Sequence, residues 1–229
     1  MKLHASLLLL VPWTAAAGAF TDLDFEAVLH VALTRAVVAA GGELAPASLA
    51  FPGWTVLFGG VPQSRVLYND ITLGAGSVLL FSTFPPRPGF SQPLAGNYMA
   101  GLQGEMGSSG KPAALEQTGT IPAGSQTMTF IGGVSQSLSV SLNGSLAPIV
   151  DLGHTSTGQF PGYDTYGVNV SAWAGQTVQL EFASGDPPAS GGVLDNITFS
   201  PIALIPEPST YALFGFGAAA LLWFRRGQT

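Results

Sequence analysis

Strict alternation of apolar and polar positions marks two hairpins in the second half of the chain. Residues 137–144 alternate throughout and end in Asn143-Gly144, a dipeptide that favours a primed turn between two strands. We therefore expect Leu138, Val140 and Leu142 to face the core. Residues 166–182 form a second unit of strand, tight loop and strand, again with one apolar face and one polar face.

Apolar, β-branched and aromatic runs continue along the rest of the chain between turn residues. The stretch 27–40 is different, because its apolar residues also fit helical spacing and two glycines follow it, so we predict an inserted helix there. The overall pattern predicts an all-β, jelly-roll-like antiparallel β-sandwich. The predicted strands are 23–26, 54–58, 77–82, 97–102, 127–131, 138–142, 166–170, 177–182 and 193–199.

Composition supports a fold with many turns and few long helices. The chain has 30 Gly and 17 Pro, and only 9% of its residues are charged. It has no cysteine, which excludes a disulfide framework, a thiolate zinc site and a cysteine nucleophile. Because no internal repeat or low-complexity linker interrupts the body, we predict a single β-sandwich domain over residues 20–201.

The charge of the chain argues against nucleic acid as a partner. The formal net charge is -6, and three of the seven cations lie in the two terminal segments described below. An acidic body repels phosphate backbones and offers no basic stripe for them. The cations left in the body are Arg35, Arg65, Arg87 and Lys111.

The first nineteen residues have the three parts of a secretory signal peptide. Lys2 supplies the positive start, residues 7–11 are apolar, and residues 17–19 read Ala-Gly-Ala, a small-x-small cleavage pattern. The apolar run is too short for a membrane anchor and is followed by Pro12. We therefore predict a signal peptide over residues 1–19 and a mature chain that begins near Phe20.

The other end carries an uncharged, mostly apolar segment, residues 210–224, followed at once by Arg225 and Arg226. As a helix this segment would span about 22 Å at ~1.5 Å per residue, against a hydrocarbon core of ~30 Å. The arginine pair should stay on the cytoplasmic side. We predict a short transmembrane helix that leaves the body outside the inner membrane.

Directly before this segment stand Pro206, Glu207, Pro208, Ser209 and Thr210. The order of this motif, an apolar helix and Arg225-Arg226 resembles the PEP-CTERM sorting signal of Gram-negative bacteria, here over residues 205–229. The resemblance implies an exosortase, a membrane-embedded protease, as partner. It also implies delivery of the body to the cell surface or to an extracellular polysaccharide matrix.

Short segments of the body, 24–26, 52–55, 173–177 and 194–197, resemble a galactose-binding-type jelly roll. In such folds acidic residues on the first and last strands often hold a structural calcium, and Glu26 and Asp195 match those positions. Asp24 or backbone carbonyls could complete the ligand shell. The alternative is that these residues are ordinary solvated carboxylates.

Two tyrosines are candidates for a carbohydrate site. Tyr163 and Tyr166 lie beside Asp164 and Gly162, a setting that suits stacking on a sugar ring. Trp54, in an apolar strand, and the tryptophan at position 173, in a tight loop, are expected to pack in the core instead.

The sequence shows no catalytic motif. The histidines of the body, His30 and His154, belong to no recognised motif, and an isolated Asp151 three residues before His154 is typical of a solvated loop. No Gly-x-Ser-x-Gly elbow is present. We therefore expect an exported, non-catalytic surface or matrix protein, with a carbohydrate-binding module as the alternative.

Overall fold

The computed structural model describes residues 18–72, 75–83, 93–106, 110–133, 137–156, 162–185 and 191–204. Most of the predicted signal peptide, the whole Pro-Glu-Pro motif and the apolar C-terminal segment lie outside these residues. In the part of the chain that the structure describes, no helix combines the length and the hydrophobicity needed to span a bilayer.

The described residues are predominantly β. The helices are α1 (His30–Ala39) and α2 (Ala47–Ala50), with a 3-10 turn at Ser171–Trp173. The strands are β1 (Leu44–Pro46), β2 (Thr55–Phe58), β3 (Val61–Pro62), β4 (Arg65–Tyr68), β5 (Ser77–Ser82), β6 (Tyr98–Gln103), β7 (Ala113–Thr120), β8 (Thr127–Gly132), β9 (Leu138–Leu142), β10 (Ser145–Ala147), β11 (Ile149–Thr155), β12 (Tyr163–Asn169), β13 (Thr177–Ser184) and β14 (Gly191–Ser200).

The strands form two sheets. One sheet has the order β1-β4-β5-β6-β14-β8-β12-β11, and the other has the order β10-β9-β13-β7-β2-β3. Neighbouring strands are antiparallel except β4 and β5, which pair in parallel through Leu67 with Leu79 and Tyr68 with Leu80. The prediction of a purely antiparallel sandwich is therefore wrong at this pair, since strands that pair in parallel cannot be joined by a tight hairpin.

Apolar side chains from both sheets meet in one core cluster. Phe130 of β8 packs edge-on against Phe182 of β13, with ring centroids 5.3 Å apart and planes at 83°. This contact joins the eight-stranded sheet to the six-stranded sheet, and both rings are almost fully buried. Trp54 and Phe25 extend the same cluster towards the N-terminal segment, with ring centroids 5.9 Å apart. The sheets are thus packed face to face as a sandwich.

The hairpin predicted at residues 137–144 is confirmed. It consists of β9 and β10, and its two turn residues have positive φ angles, 51° at Asn143 and 74° at Gly144. A primed turn requires these angles, which glycine and asparagine adopt at low cost. Val140 and Leu142 are fully buried, whereas Leu138 is only partly buried against the core.

Several predictions of local structure needed correction. Residues 23–26 do not form a strand: they form a turn in which the buried Phe25 has φ of 58°. The predicted helix at 27–40 is confirmed as the shorter α1. Six strands were missed, namely β1, β3, β4, β7, β10 and β11. Of these, β7 is rich in Ala, Glu and Gln, which have low β-propensity, and it is held as a strand by β13 and β2 on either side.

Candidate functional site

A cleft of about 230 Å³ lies between the two sheets, at the edge formed by β11. Leu138 comes from the six-stranded sheet, and the other lining residues come from the eight-stranded sheet. The lining combines apolar side chains with one carboxylate and one phenol. The lining residues are Phe130, Leu138, Ile149, Asp151 and Tyr166.

Tyr166 is held rigidly at the bottom of this cleft. Its ring stacks on Phe130, with centroids 5.3 Å apart and planes at 24°, and only 8% of the residue is exposed. Its hydroxyl donates a hydrogen bond to the backbone carbonyl of Gly133 at 2.8 Å. These contacts leave little exposed ring surface for stacking on a sugar. Tyr166 therefore serves mainly as a fixed part of the cleft lining.

The structure does not bring Tyr163 and Tyr166 onto one face. Both lie on β12 three positions apart, and side chains of a strand alternate between its two faces. Asp164 and Tyr166 are buried towards the core, whereas Tyr163 is only partly buried on the other face. The two tyrosines therefore cannot line a single site within this strand.

A histidine–aspartate pair lies at the end of the β11–β12 hairpin, next to the cleft. His154 Nδ1 is 2.7 Å from Asp164 Oδ1, and the two residues are cross-strand partners. Asp164 is 5% exposed, and the hydroxyl of Tyr166 lies 3.4 Å from its other oxygen. The imidazole also fills the space where Gly162, with φ of 83°, lacks a side chain. The pair thus fixes the end of this hairpin.

The acidic residue nearest to His154 in the sequence is Asp151, for which no catalytic role was predicted. The Asp151 carboxylate accepts a hydrogen bond from the backbone amide of Gly153 at 2.8 Å, where the pairing of β11 with β12 is irregular. The partner of His154 is ten residues away and becomes a neighbour only through strand pairing. The pair could have been predicted only by recognising β11 as a strand and assigning its register with β12.

A second polar cluster lies where the N-terminal turn meets β14. The Glu26 carboxylate accepts hydrogen bonds from the backbone amides of Asn97 and Tyr98, at 2.5 and 2.9 Å. Asp195 is fully buried and accepts hydrogen bonds from the amides of Ala95 and Asn196, at 2.9 and 2.8 Å. The two carboxylates therefore hold the segment that leads into β6 from both sides.

Burial raises the pKa of two carboxyl groups of this cluster above the ordinary carboxyl value. Loss of hydration and, to a smaller extent, the negative charges of Glu26 and Asp24 together raise the pKa of Asp195 to about 7, against the lowering effect of its amide donors. Burial likewise raises the pKa of Asp22 to about 6, with smaller contributions from Asp24 and Glu26. Asp22 Oδ1 accepts a hydrogen bond from the amide of Ala27, whereas the buried Oδ2 has no hydrogen-bond partner.

The same cluster contains Glu26 and Asp195, the two residues predicted to bind calcium. Among the described residues, no group of three or more His, Asp or Glu side chains is placed to hold a metal ion. Calcium prefers ~6–8 oxygen ligands, so an ion between Glu26 and Asp195 would draw most ligands from backbone oxygens. The unpartnered Oδ2 of Asp22 and the mutual repulsion of the carboxylates are the features that fit a cation.

The remaining aromatic candidates are structural. Trp54 is 7% exposed and donates its indole N–H to the carbonyl of Asp22 at 3.0 Å, so its predicted core position is confirmed. Trp173 packs against the core from the 3-10 turn, also as predicted. Tyr98 is buried, and its hydroxyl lies 2.9 Å from His30 Nδ1.

Residues 204–226 match the family model of the PEP-CTERM protein-sorting motif. The chain ends in a PEP-CTERM sorting motif. The match includes Pro206, Glu207, Pro208, Ser209 and Thr210 as well as Arg225 and Arg226, the residues on which the resemblance in the sequence rested. The PEP-CTERM motif indicates export and exosortase-dependent, membrane-anchored sorting, and it begins at Leu204, the last described residue of the body.

Three solved structures resemble the sandwich. A cyclase from Fischerella sp. TAU is 18% identical, with a TM-score of 0.49 and coverage of 84% of this chain and 100% of the cyclase. TmCBM61, solved in complex with β-1,4-galactotriose, is 13% identical, with a TM-score of 0.39 and coverage of 81% and 99%. Tailspike protein 4 of bacteriophage CBA120 is 13% identical, with a TM-score of 0.35 and coverage of 67% and 20%.

All three TM-scores are below 0.5, so no function is transferred from these structures. None of the curated proteins with which the sequence was compared is significantly similar to it.

Proposed function

We propose that this protein is an exported, non-catalytic surface or matrix protein whose β-sandwich is released by an exosortase. The PEP-CTERM motif carries this proposal, because it begins four residues after the last strand ends at Ser200. The signal peptide starts export, and the apolar segment at 210–224 then holds the body at the inner membrane. Cleavage at the motif frees the sandwich for the cell surface or the extracellular matrix.

The chemistry of the motif suits such a cut. Pro206 and Pro208 fix φ near −65° and lack amide donors, so they disfavour pairing of this segment with a strand and keep it out of a helix interior. Arg225 and Arg226 resist translocation and so keep the end of the apolar segment on the cytoplasmic side. The same logic governs other removable C-terminal signals, in which a cut site precedes a short apolar tail.

Intact mass of the protein from the cell surface tests the proposal. In a host with an exosortase we expect a chain that begins at Phe20 and ends within the motif. In the same host without the exosortase, and in a Glu207→Ala variant, we expect the C-terminal segment to remain attached. Glu43→Ala, which removes an exposed carboxylate of the body, is the matched control. Retention of the C-terminal segment in the unaltered protein of the complete host contradicts the proposal.

A second candidate function is carbohydrate binding in the cleft. Sugars present apolar ring faces and hydroxyl groups, and the cleft sets the carboxylate of Asp151 beside Leu138, Ile149 and Tyr166. The resemblance of the body to a galactose-binding-type jelly roll supports the same proposal.

Pull-down with matrix polysaccharides tests this second candidate. Leu138→Trp fills the cleft and should abolish binding, while Asp151→Asn should weaken it. Tyr163→Ala alters the opposite face of β12, so binding lost only in this variant would place the site there instead. Absence of binding by the unaltered protein to a broad panel of glycans contradicts carbohydrate binding altogether.

We also propose that a calcium ion binds between Glu26 and Asp195, with backbone oxygens supplying most of its ligands. Two buried carboxyl groups with raised pKa values and one buried carboxylate oxygen without a donor support it, since a cation would offset the repulsion among them. The ion would have a structural role, because the cluster joins the N-terminal turn to β14 away from the cleft.

A further inference from the structure

The chain enters and leaves the sandwich at the same end. The ring of Phe20 stacks on that of Phe199, with centroids 5.6 Å apart and planes at 24°. Just before it, Gly18 accepts a hydrogen bond from the amide of Thr120, and Ala19 forms a parallel bridge with the same residue. The predicted start of the mature chain thus lies beside the end of the last strand.

Hydrogen bonds hold the departing chain against this end. We call residues 201–204 the exit segment. The side-chain amide of Gln126 donates to the carbonyl of Pro201 at 2.8 Å, and the hydroxyl of Thr127 donates to the carbonyl of Ile202 at 2.7 Å. Thr127 is 4% exposed, so its bond is well shielded from water. The first two residues of the exit segment therefore have a fixed path.

The last residue of the exit segment also packs on the fold. Leu204 lies over Gly167 of β12, so closely that a Cβ at Gly167 would collide with the leucine side chain. The absence of a side chain at Gly167 therefore leaves room for the Leu204 side chain to pack on β12. Leu204 is also the first residue matched by the PEP-CTERM model, which means that the folded body holds the beginning of the motif.

The prolines of the motif follow closely on the residue that packs against the fold. Pro206 and Pro208 follow Leu204 by two and four residues, and an extended chain spans at most ~3.6 Å per residue. At this spacing Pro208 can be no farther than about 14 Å from Leu204. A protease that reads the motif must approach this end of the fold.

We propose that the sorting protease recognises, besides the motif itself, the end of the sandwich where the chain enters and leaves. Gln126, Thr127 and Gly167 are then positioning residues for the motif. We define the terminal face as Phe20, Thr120, Gln126, Thr127 and the exit segment. This inference rests on the proposed function, exosortase processing. Ile202 is 71% exposed there and supplies an apolar contact. No residue of the terminal face is cationic, which favours a protein partner over anionic lipid headgroups.

The first arm of the test lengthens the chain between the exit segment and the motif and leaves the fold unchanged. Six Gly and Ser residues are inserted between Leu204 and Ile205 in the full chain, and processing is followed in a host with the exosortase by pulse-chase and mass. If the terminal face docks on the protease, a flexible spacer lowers the effective concentration of the motif at the active site. We expect processing to slow by about threefold or more.

The second arm releases the exit segment. Thr127→Val combined with Gln126→Ala removes both side-chain hydrogen bonds, and we expect a comparable slowing. Thr129→Val is the matched control, because Thr129 lies on the same strand, pairs its hydroxyl with Thr198 at 2.7 Å and does not touch the exit segment. The melting temperature of each processed product separates lost positioning from lost stability.

Each outcome decides between the two proposals. Processing at the unaltered rate in the spacer variant, or in the double variant, overturns the positioning role while exosortase processing stands. Slowing of the Thr129→Val control to the same extent also overturns it, since the effect would then be one of stability. No processing of the unaltered chain, with no dependence on Glu207, refutes the proposed function instead.

Discussion

Glu116 of β7 lies directly opposite Glu181 of β13, so two acidic side chains are cross-strand neighbours in the six-stranded sheet. Burial raises the pKa of Glu181, and the negative charge of Glu116 raises it further. Like charges in this relationship destabilise a sheet. The pair is therefore a local weakness of an otherwise well-packed sandwich.

Glu181→Gln is expected to raise the free energy of unfolding at pH 8 by about 0.2–1 kcal/mol, because it removes the repulsion. A raised folded-state pKa gives stability that is present at low pH and lost as pH rises through that pKa. The gain should therefore shrink towards pH 3, where Glu181 is protonated and the repulsion is lost. Urea denaturation at the two pH values measures it, with the exposed Glu43→Gln as control. A gain that is equal at both pH values contradicts the electrostatic explanation.

Phe20→Ala is expected to destabilise the exported protein by about 1–3 kcal/mol, through loss of the stack on Phe199 and of packing over Gly119. Thermal and urea denaturation measure the loss. Leu146→Ala is the control, because Leu146 is 76% exposed and should contribute little. Equal stability of the Phe20→Ala variant and the unaltered protein would show that the start of the mature chain is not part of the fold.

In the presence of a chelator, stability is expected to fall between about pH 4 and pH 7. The pKa of Asp195 is raised from 3.8 to about 7 and that of Asp22 to about 6, so the folded state retains protons that the unfolded state releases. The stabilising contribution of these protons is fully present below the pKa of the unfolded state, and it is lost as pH rises through the pKa values of the folded state. Asp195→Asn does not titrate and should flatten the profile. A profile equally steep in this variant rules out Asp195 as its cause.

Calcium is expected to restore the stability lost at high pH. At pH 8, added calcium should raise the melting temperature of the unaltered protein, because the cation offsets the repulsion among Asp22, Glu26 and Asp195. The shift should vanish in Asp195→Ala and persist in Asp151→Ala, which changes a carboxylate in the cleft. If calcium and chelator give the same melting temperature for the unaltered protein, no ion binds at this cluster.

Local patterns predicted the parts of the fold whose signals are local. The Asn143-Gly144 turn needs only two residues with positive φ, and the alternation before it assigns Val140 and Leu142 to the core. The helix α1 was found from its own spacing and from the glycines that follow it. In contrast, β7 has weak strand propensity and becomes a strand because it lies between β13 and β2.

The candidate site was less accessible from sequence. Tyr163 and Tyr166 are close along the chain, but strand alternation sends their side chains to opposite faces. Asp151 lies three residues from His154 along the chain, while the partner of His154, Asp164, lies across a hairpin that the sequence did not reveal. Pairings of this kind depend on strand register, which local composition does not specify.

The sequence by itself determined the PEP-CTERM motif and the β-rich character of the body, since both depend on residue order and on local periodicity. Only the tertiary structure decided which distant residues share a site. Phe20 meets Phe199, and Leu204 meets Gly167, because sheet pairing brings together segments far apart in the chain. Such contacts arise from packing of the whole sandwich, and no short stretch of sequence contains them.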